Sequence, residues 1–301
     1  MHRYLKTFLT LLFSHNRSGT EEEYGVKETL LQEVSDLMTA AQLNAKEEKD
    51  KKTKAREKVS PQKNGTLLDL PLEIIMQICR YLPLQASLQL SACNHYLHDV
   101  IMNTQSVWQK IEVHHCPEIN SDVFQKVILP HVPQMIHLVM GYSVVHMDAS
   151  LVKDFTSALS NNTELQWLDL TGFVDLGNEM IRCLNSPELK TLCAGECNIN
   201  EISGLENCIS LEWLDLSFNP ISAAHILQCI ANIPNLQTLQ LAGIEFSIHE
   251  LNSLMASNNT LLSVTVNLSE NTTKDQCRSL VQAHPTVTFS SHNSSLFYLV
   301  N

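Results

Sequence analysis

LQWLDL at residues 165–170 and LEWLDL at residues 211–216 are nearly the same six-residue phrase. The same leucine spacing, L-x-x-L-x-L, returns as LKTLCA from Leu189, LQTLQL from Leu236 and LLSVTV from Leu261. Weaker copies read MIHLVM from Met135, WQKIEV from Trp108 and HPTVTF from His284. Successive starts are separated by 27, 30, 24, 22, 25, 25 and 23 residues. The alternation inside each phrase suits a short strand, with one set of side chains turned inward and the other outward. One such unit cannot bury its apolar face alone, but a stack of them can.

The stretches between copies read as return segments. Ser247 and Glu250 form a capping box ahead of Leu251, Leu254 and Met255, and Thr273 and Gln276 form another ahead of Cys277 and Leu280. Ser222 is placed to cap a helix carrying Ile226, Leu227 and Ile230. The unit from Leu189 is too short for a full helix, so a tight turn or 3₁₀ segment is expected after Ile199. The period lies in the range of leucine-rich repeats. The expected fold class is therefore α/β: a leucine-rich-repeat solenoid over 108–301, with parallel strands and return helices.

In such a solenoid the variable strand positions line the concave face. They include His137, Trp167, Asp169, Thr191, Cys193, Trp213, Asp215, Gln240 and Thr265. Trp167 and Trp213 stand at the same place two repeats apart, each two residues before an Asp. Indoles are enriched at binding hot spots, and they also pack on one another in repeats of this kind. The candidate ligand-contacting set is Trp167, Asp169, Thr191, Trp213, Asp215 and Gln240. Acidic groups beside indoles favour a ligand segment carrying Arg or Lys. Asn or Cys after the strand bonds free backbone groups of the turn; Cys116, Cys197 and Asn219 fit that role, whereas Phe173 and Ile244 do not.

Ahead of the repeats, LLDLPLEIIMQICRYLPL from Leu67 reads as a helix opened by Pro71 and stopped by Pro83. Ile74, Ile75, Ile78 and Leu82 form its apolar face. Short helices are expected over 84–90 and 93–102, the last with Tyr96, Leu97, Val100 and Ile101 turned inward. Residues 1–63 are polar and charged, either disordered or helical, with an amphipathic helix expected over 26–43. The expected domains are 1–63, 64–112 and 108–301.

Charge excludes several functions. The stretch 46–63 carries eight basic and four acidic residues, whereas 64–301 carries eight basic and twenty-two acidic ones. An acidic domain repels phosphate backbones and anionic membranes, so neither nucleic acid nor a membrane is an expected partner. The nine cysteines show no zinc spacing; His114-His115-Cys116 and Cys193…Cys197 come nearest and lack further ligands. No metal and no cofactor is expected. Buried, reduced thiols suit a cytoplasmic or nuclear protein. Sequons at Asn161, Asn258, Asn267, Asn271 and Asn293 arise readily in a chain this rich in Asn and Ser. No Ser/His/Asp set, carboxylate pair or phosphate loop stands out, so no catalytic residue is assigned.

Leu70-Pro71-x-Glu73-Ile74, Ile78, Tyr81-Leu82, Leu88, Leu90, Ala92-Cys93, Leu97 and Val107-Trp108 resemble an F-box. The segment departs from that pattern at Ala86, Asn94 and Tyr96. An F-box followed by leucine-rich repeats resembles the F-box/leucine-rich-repeat family, the substrate receptors of Skp–cullin–F-box ubiquitin ligases. The resemblance implies a non-catalytic subunit of the ligase. Leu70, Pro71, Ile74, Ile78, Leu82 and Leu88 would contact a Skp-type adaptor tied to a cullin, or else simply form the three-helix core. The repeats would bind a protein substrate that the sequence does not name. The alternative is a leucine-rich-repeat scaffold or regulatory protein that works without ubiquitin.

Overall fold

In the computed structural model residues 67–113 and 119–292 are described. The amphipathic helix expected over 26–43, the His114-His115-Cys116 run and the ends of the chain lie outside them. The chain divides after Thr104 into two compact units.

The first unit holds a 3₁₀ turn, Leu67–Asp69, and helices Leu72–Tyr81, Leu84–Cys93 and His95–Asn103. Pro71 and Pro83 stand immediately before the first two helices, at φ −55°, where a missing N–H costs nothing. Asn94 begins the third: its Oδ1 accepts from the Tyr96 N–H at 2.8 Å. That cap moves the helix start past Cys93 and corrects the expectation for Tyr96, which is exposed while Leu97, Val100 and Ile101 are buried. Asn94 and Ala86 thus have local roles, one as a cap and the other buried.

The second unit opens with a four-residue helix, Gln105–Trp108, that the sequence reading did not anticipate. Eight strands follow: β1 Lys110–Glu112, β2 His137–Val139, β3 Trp167–Asp169, β4 Thr191–Cys193, β5 Trp213–Asp215, β6 Thr238–Phe246, β7 Ser263–Leu268 and β8 Thr288–Ser291. They form one parallel sheet in chain order. This is the expected leucine-rich-repeat solenoid, one strand per repeat. The inward leucines are fully buried, among them Leu138, Leu168, Leu192, Leu214 and Leu239. Each such side chain removed from water contributes about 1.5–3 kcal/mol.

Seven strands align in the phase read from the leucines, and the eighth does not. Val264 pairs with Phe289, so the counterpart of Leu261 is Thr286 rather than His284. A slip of two residues preserves which side chains face inward, so the alternation alone could not reveal it.

Return segments vary with repeat length. Helices span Ala149–Ser160, Gly177–Arg182, Ala223–Ile230, Ile248–Ser257 and Lys274–Ala283. Both capping boxes are formed, at Ser247/Glu250 and Thr273/Gln276, and Ser222 caps its helix. After β4 there is only a 3₁₀ turn, Leu205–Asn207. Neighbours satisfy part of the backbone there: Asn178 Oδ1 accepts from the Asn200 and Glu201 N–H groups, and His225 Nε2 accepts from Ile202.

Among the buried amides that stitch repeats together are Asn162 and Asn258. Asn162 donates to the carbonyls of Val132 and Met135, and Asn258 to those of Ile230 and Ile233. Each also accepts a backbone N–H two residues on. Asn258 heads a sequon, yet its amide is buried and engaged in the fold.

Candidate functional site: the strand face of the repeats

Register sets the site in parallel rows. At the first strand position Lys110, His137, Trp167, Thr191, Trp213, Thr238 and Ser263 are successive neighbours. At the third, Glu112, Val139, Asp169, Cys193, Asp215, Gln240 and Thr265 follow one another. The six candidate residues therefore lie together on one face, in two rows across four strands.

Their exposure differs. Trp167 and Trp213 are each 42% exposed, whereas Thr191, between them in register, is only 8% exposed. Two strand spacings of about 4.8 Å separate the tryptophan backbones. Thr191 therefore offers a ligand little surface and acts as the floor between the indoles. Trp167 stacks on His137, with ring centroids 5.2 Å apart and an interplanar angle of 28°.

The aspartates hold the strand ends. Asp169 Oδ1 accepts from the Thr171 N–H at 3.0 Å and from its hydroxyl at 2.8 Å, and Asp215 Oδ1 accepts from the Ser217 N–H at 2.8 Å. Gly141 makes room for this, since a Cβ there would lie 2.7 Å from Asp169 Oδ1. Cys193, flanked by both aspartates, has its thiol pushed up to about 12 by burial and then by those two charges. It is a neutral thiol at physiological pH, as are buried Cys79, Cys197 and Cys208. Among the described residues the cysteines are free.

His137 is held below the usual imidazole range, by burial first and Lys110 next, against the opposing pull of Glu112 and Asp169. Its Nε2 is buried without a hydrogen bond, with Glu112 Oε1 at 3.7 Å, an ion-pair distance. His131 is likewise depressed by burial. The unfolded chain takes up these protons near pH ~6.5, while the folded chain resists until lower pH. Stability is therefore complete above that pH and falls as pH drops below it. The thermal midpoint of the full chain is expected to fall between pH ~7.5 and ~5.5. A His131→Gln/His137→Gln variant should show a shallower fall, and equal slopes would refute this assignment.

A third row escaped the sequence reading. Tyr142, Gly172, Glu196, Phe218 and Gly243 stand at equivalent places, the first four just after β2 to β5 and Gly243 at the register shift inside β6, all with positive φ: 52°, 85°, 56°, 57° and 82°. Tyr142, Gly172, Glu196 and Phe218 donate their N–H to the carbonyls of Thr171, Gly195, Ser217 and Ala242, each in the next repeat. Aromatic residues rarely adopt this conformation. The only signal in the sequence was glycine at two of the five places. The Tyr142 hydroxyl donates to Glu196 Oε1 at 2.6 Å. That bond, with burial and the nearby carboxylates, pushes the phenol up to about 12.

In the first unit the six candidate adaptor residues separate from the core. Ile75, Cys79, Leu84, Leu90, Leu97, Val100 and Ile101 are buried. Leu70, Ile74, Ile78, Leu82 and Leu88 are half-buried, and Pro71 is exposed. Ile75 belongs to the interior, and its neighbour Ile74 retains free apolar surface.

Residues 67–114 match the F-box-like family. The F-box-like segment thus covers the three helices of the first unit, the short helix Gln105–Trp108 and β1. Its closing Trp108 is also the opening residue of the first repeat: it is fully buried and stacks on His131 at 4.1 Å and 8°. A search of curated protein sequences finds no match. Among solved structures, internalin C2 of Listeria monocytogenes is similar at 14% identity and TM-score 0.43, over 72% of this chain and 88% of its own. Internalin InlF of the same species follows at 14% identity and TM-score 0.26, over 56% and 70%. The solenoid is assigned from its strand order and register.

Proposed function

We propose that this protein is the substrate-recognition subunit of an SCF-type cullin–RING ubiquitin ligase. The observation that carries this reading is the F-box-like segment at 67–114 joined to a leucine-rich-repeat solenoid. Leu70, Pro71, Ile74, Ile78, Leu82 and Leu88 present apolar surface that the interior of the unit does not use. In this reading they bind a Skp-type adaptor, which carries the cullin. The strand face bearing Trp167, Asp169, Trp213, Asp215 and Gln240 binds a protein substrate.

The chain makes or breaks no bond itself in this account. It holds a substrate lysine near a ubiquitin thioester carried by other subunits, and the acceleration is one of proximity and orientation. The reading puts the protein in the cytoplasm or nucleus, in keeping with its free thiols.

The test is co-purification of adaptor and cullin with the tagged full chain. The Leu70→Ala/Pro71→Ala variant is expected to recover at least about tenfold less of both, a loss of about 1.4 kcal/mol or more. Its thermal unfolding should otherwise resemble the parent's. Undiminished recovery, or no adaptor with the parent chain, would leave the alternative of a non-ubiquitin scaffold.

A further inference from the structure

The left-handed row along the strand face has a composition that the fold does not require. Positive φ recurs at this place in five successive repeats, and glycine adopts it without steric cost at 172 and 243. Tyr142, Glu196 and Phe218 adopt it at a cost. Their side chains gain little burial in return: Tyr142 is 61% exposed and Phe218 49%, and Glu196 is exposed.

Glycine and aromatic are matched along the row. A Cβ at Gly172 would lie 3.0 Å from Tyr142 Cδ1, so the tyrosine ring crosses the third repeat and its hydroxyl reaches Glu196 in the fourth. A Cβ at Gly243 would lie 2.6 Å from Phe218 Cδ1, so the phenylalanine ring crosses the sixth repeat, edge-on to His292. Both rings lean the same way, each over a glycine, with the Glu196 carboxylate set between them along the row. Asp169 and Asp215 stand nearby in the adjoining repeats, close enough to act on the Tyr142 phenol.

We propose that Tyr142, Glu196 and Phe218 form a docking strip for an arginine-bearing segment of a partner polypeptide. Charge complementarity selects the occupant: Glu196, Asp169 and Asp215 make this part of the face anionic. Flat, exposed rings flanking a carboxylate suit a planar guanidinium, which stacks on an aromatic face while its N–H groups meet the carboxylate. The inference deepens the substrate-receptor reading, since it rests on the repeats being the partner-binding part of the chain.

The probe is a fluorescein-labelled nona-arginine peptide, compared with its nona-citrulline counterpart, which has nearly the same shape without the charge. Binding to the full chain is read by fluorescence polarisation. The arginine peptide should bind at least about tenfold more tightly. Tyr142→Gly, Phe218→Gly and Glu196→Gln should each weaken it about fivefold, while the two glycine variants melt at or above the parent temperature. Glu196→Gln retains the side-chain shape should glycine disturb a turn, and Glu270→Gln, an exposed carboxylate off the strip, controls for net charge. Equal binding by parent and strip variants, or equal losses from Glu270→Gln, would overturn the proposal. Adaptor co-purification is read separately, so failure here does not bear on that half of the functional reading.

Discussion

Replacing Trp108 with alanine is expected to lower the unfolding free energy of the repeats by about 3–5 kcal/mol. The indole is fully buried at the head of the solenoid and lies flat on His131. Its loss removes both the transfer free energy of a large apolar group and the dispersion contacts of the ring, and it opens a cavity beside β1. Domains of this kind are stable by only about 5–15 kcal/mol, so this single change consumes much of the margin. Trp108→Phe should retain part of the packing and cost less. Urea unfolding followed by circular dichroism measures both variants; the indoles of Trp167 and Trp213 remain as partly exposed reporters of the later repeats. A loss under about 1 kcal/mol for Trp108→Ala would mean that the first repeat closes over the gap.

Asn219→Ala is expected to cost about 3–4 kcal/mol. The side-chain oxygen accepts from the Cys197 and Ile199 N–H groups at 3.1 and 2.9 Å. The side-chain nitrogen donates to the carbonyls of Ala194, Leu216 and Ser217. Alanine leaves several of these backbone groups buried without partners, each costing about 1–3 kcal/mol less whatever water or relaxation returns. One repeat earlier, Cys197 donates to the Leu170 carbonyl at 3.0 Å, the equivalent acceptor. Asn219→Cys is thus expected to fall between parent and alanine, whereas Asn219→Asp, which cannot donate, should not. Denaturant midpoints for the three variants give the order, and an alanine variant as stable as the parent would refute the assigned role.

Much of this architecture was legible because it repeats. The leucine spacing placed seven of eight strands in their true register, and the capping boxes at Ser247 and Thr273 marked two helix starts. Asn219 and Cys197 were readable as turn residues from their place after the strand. The two exposed indoles and their aspartates were readable as a face because strand side chains alternate with period two.

What the sequence left open was settled by contacts between repeats. A two-residue slip is invisible to a period of two, so only pairing with β7 fixed Phe289, not Val287, opposite Val264. Thr191 looked equivalent to its neighbours, yet it is buried between two exposed tryptophans in register. Tyr96 fitted an inward helix position until Asn94 supplied the cap and turned it outward. Asn162 and Asn258 gave no local sign of their cross-repeat bonds. The left-handed row is the plainest case. Sequence determines that each repeat must turn after its strand, but the backbone conformation at Tyr142, Glu196 and Phe218 is imposed by hydrogen bonds to the next repeat. Those bonds exist only once the strands are stacked, because a residue's local preference is outweighed by the cost of leaving buried backbone groups unpaired.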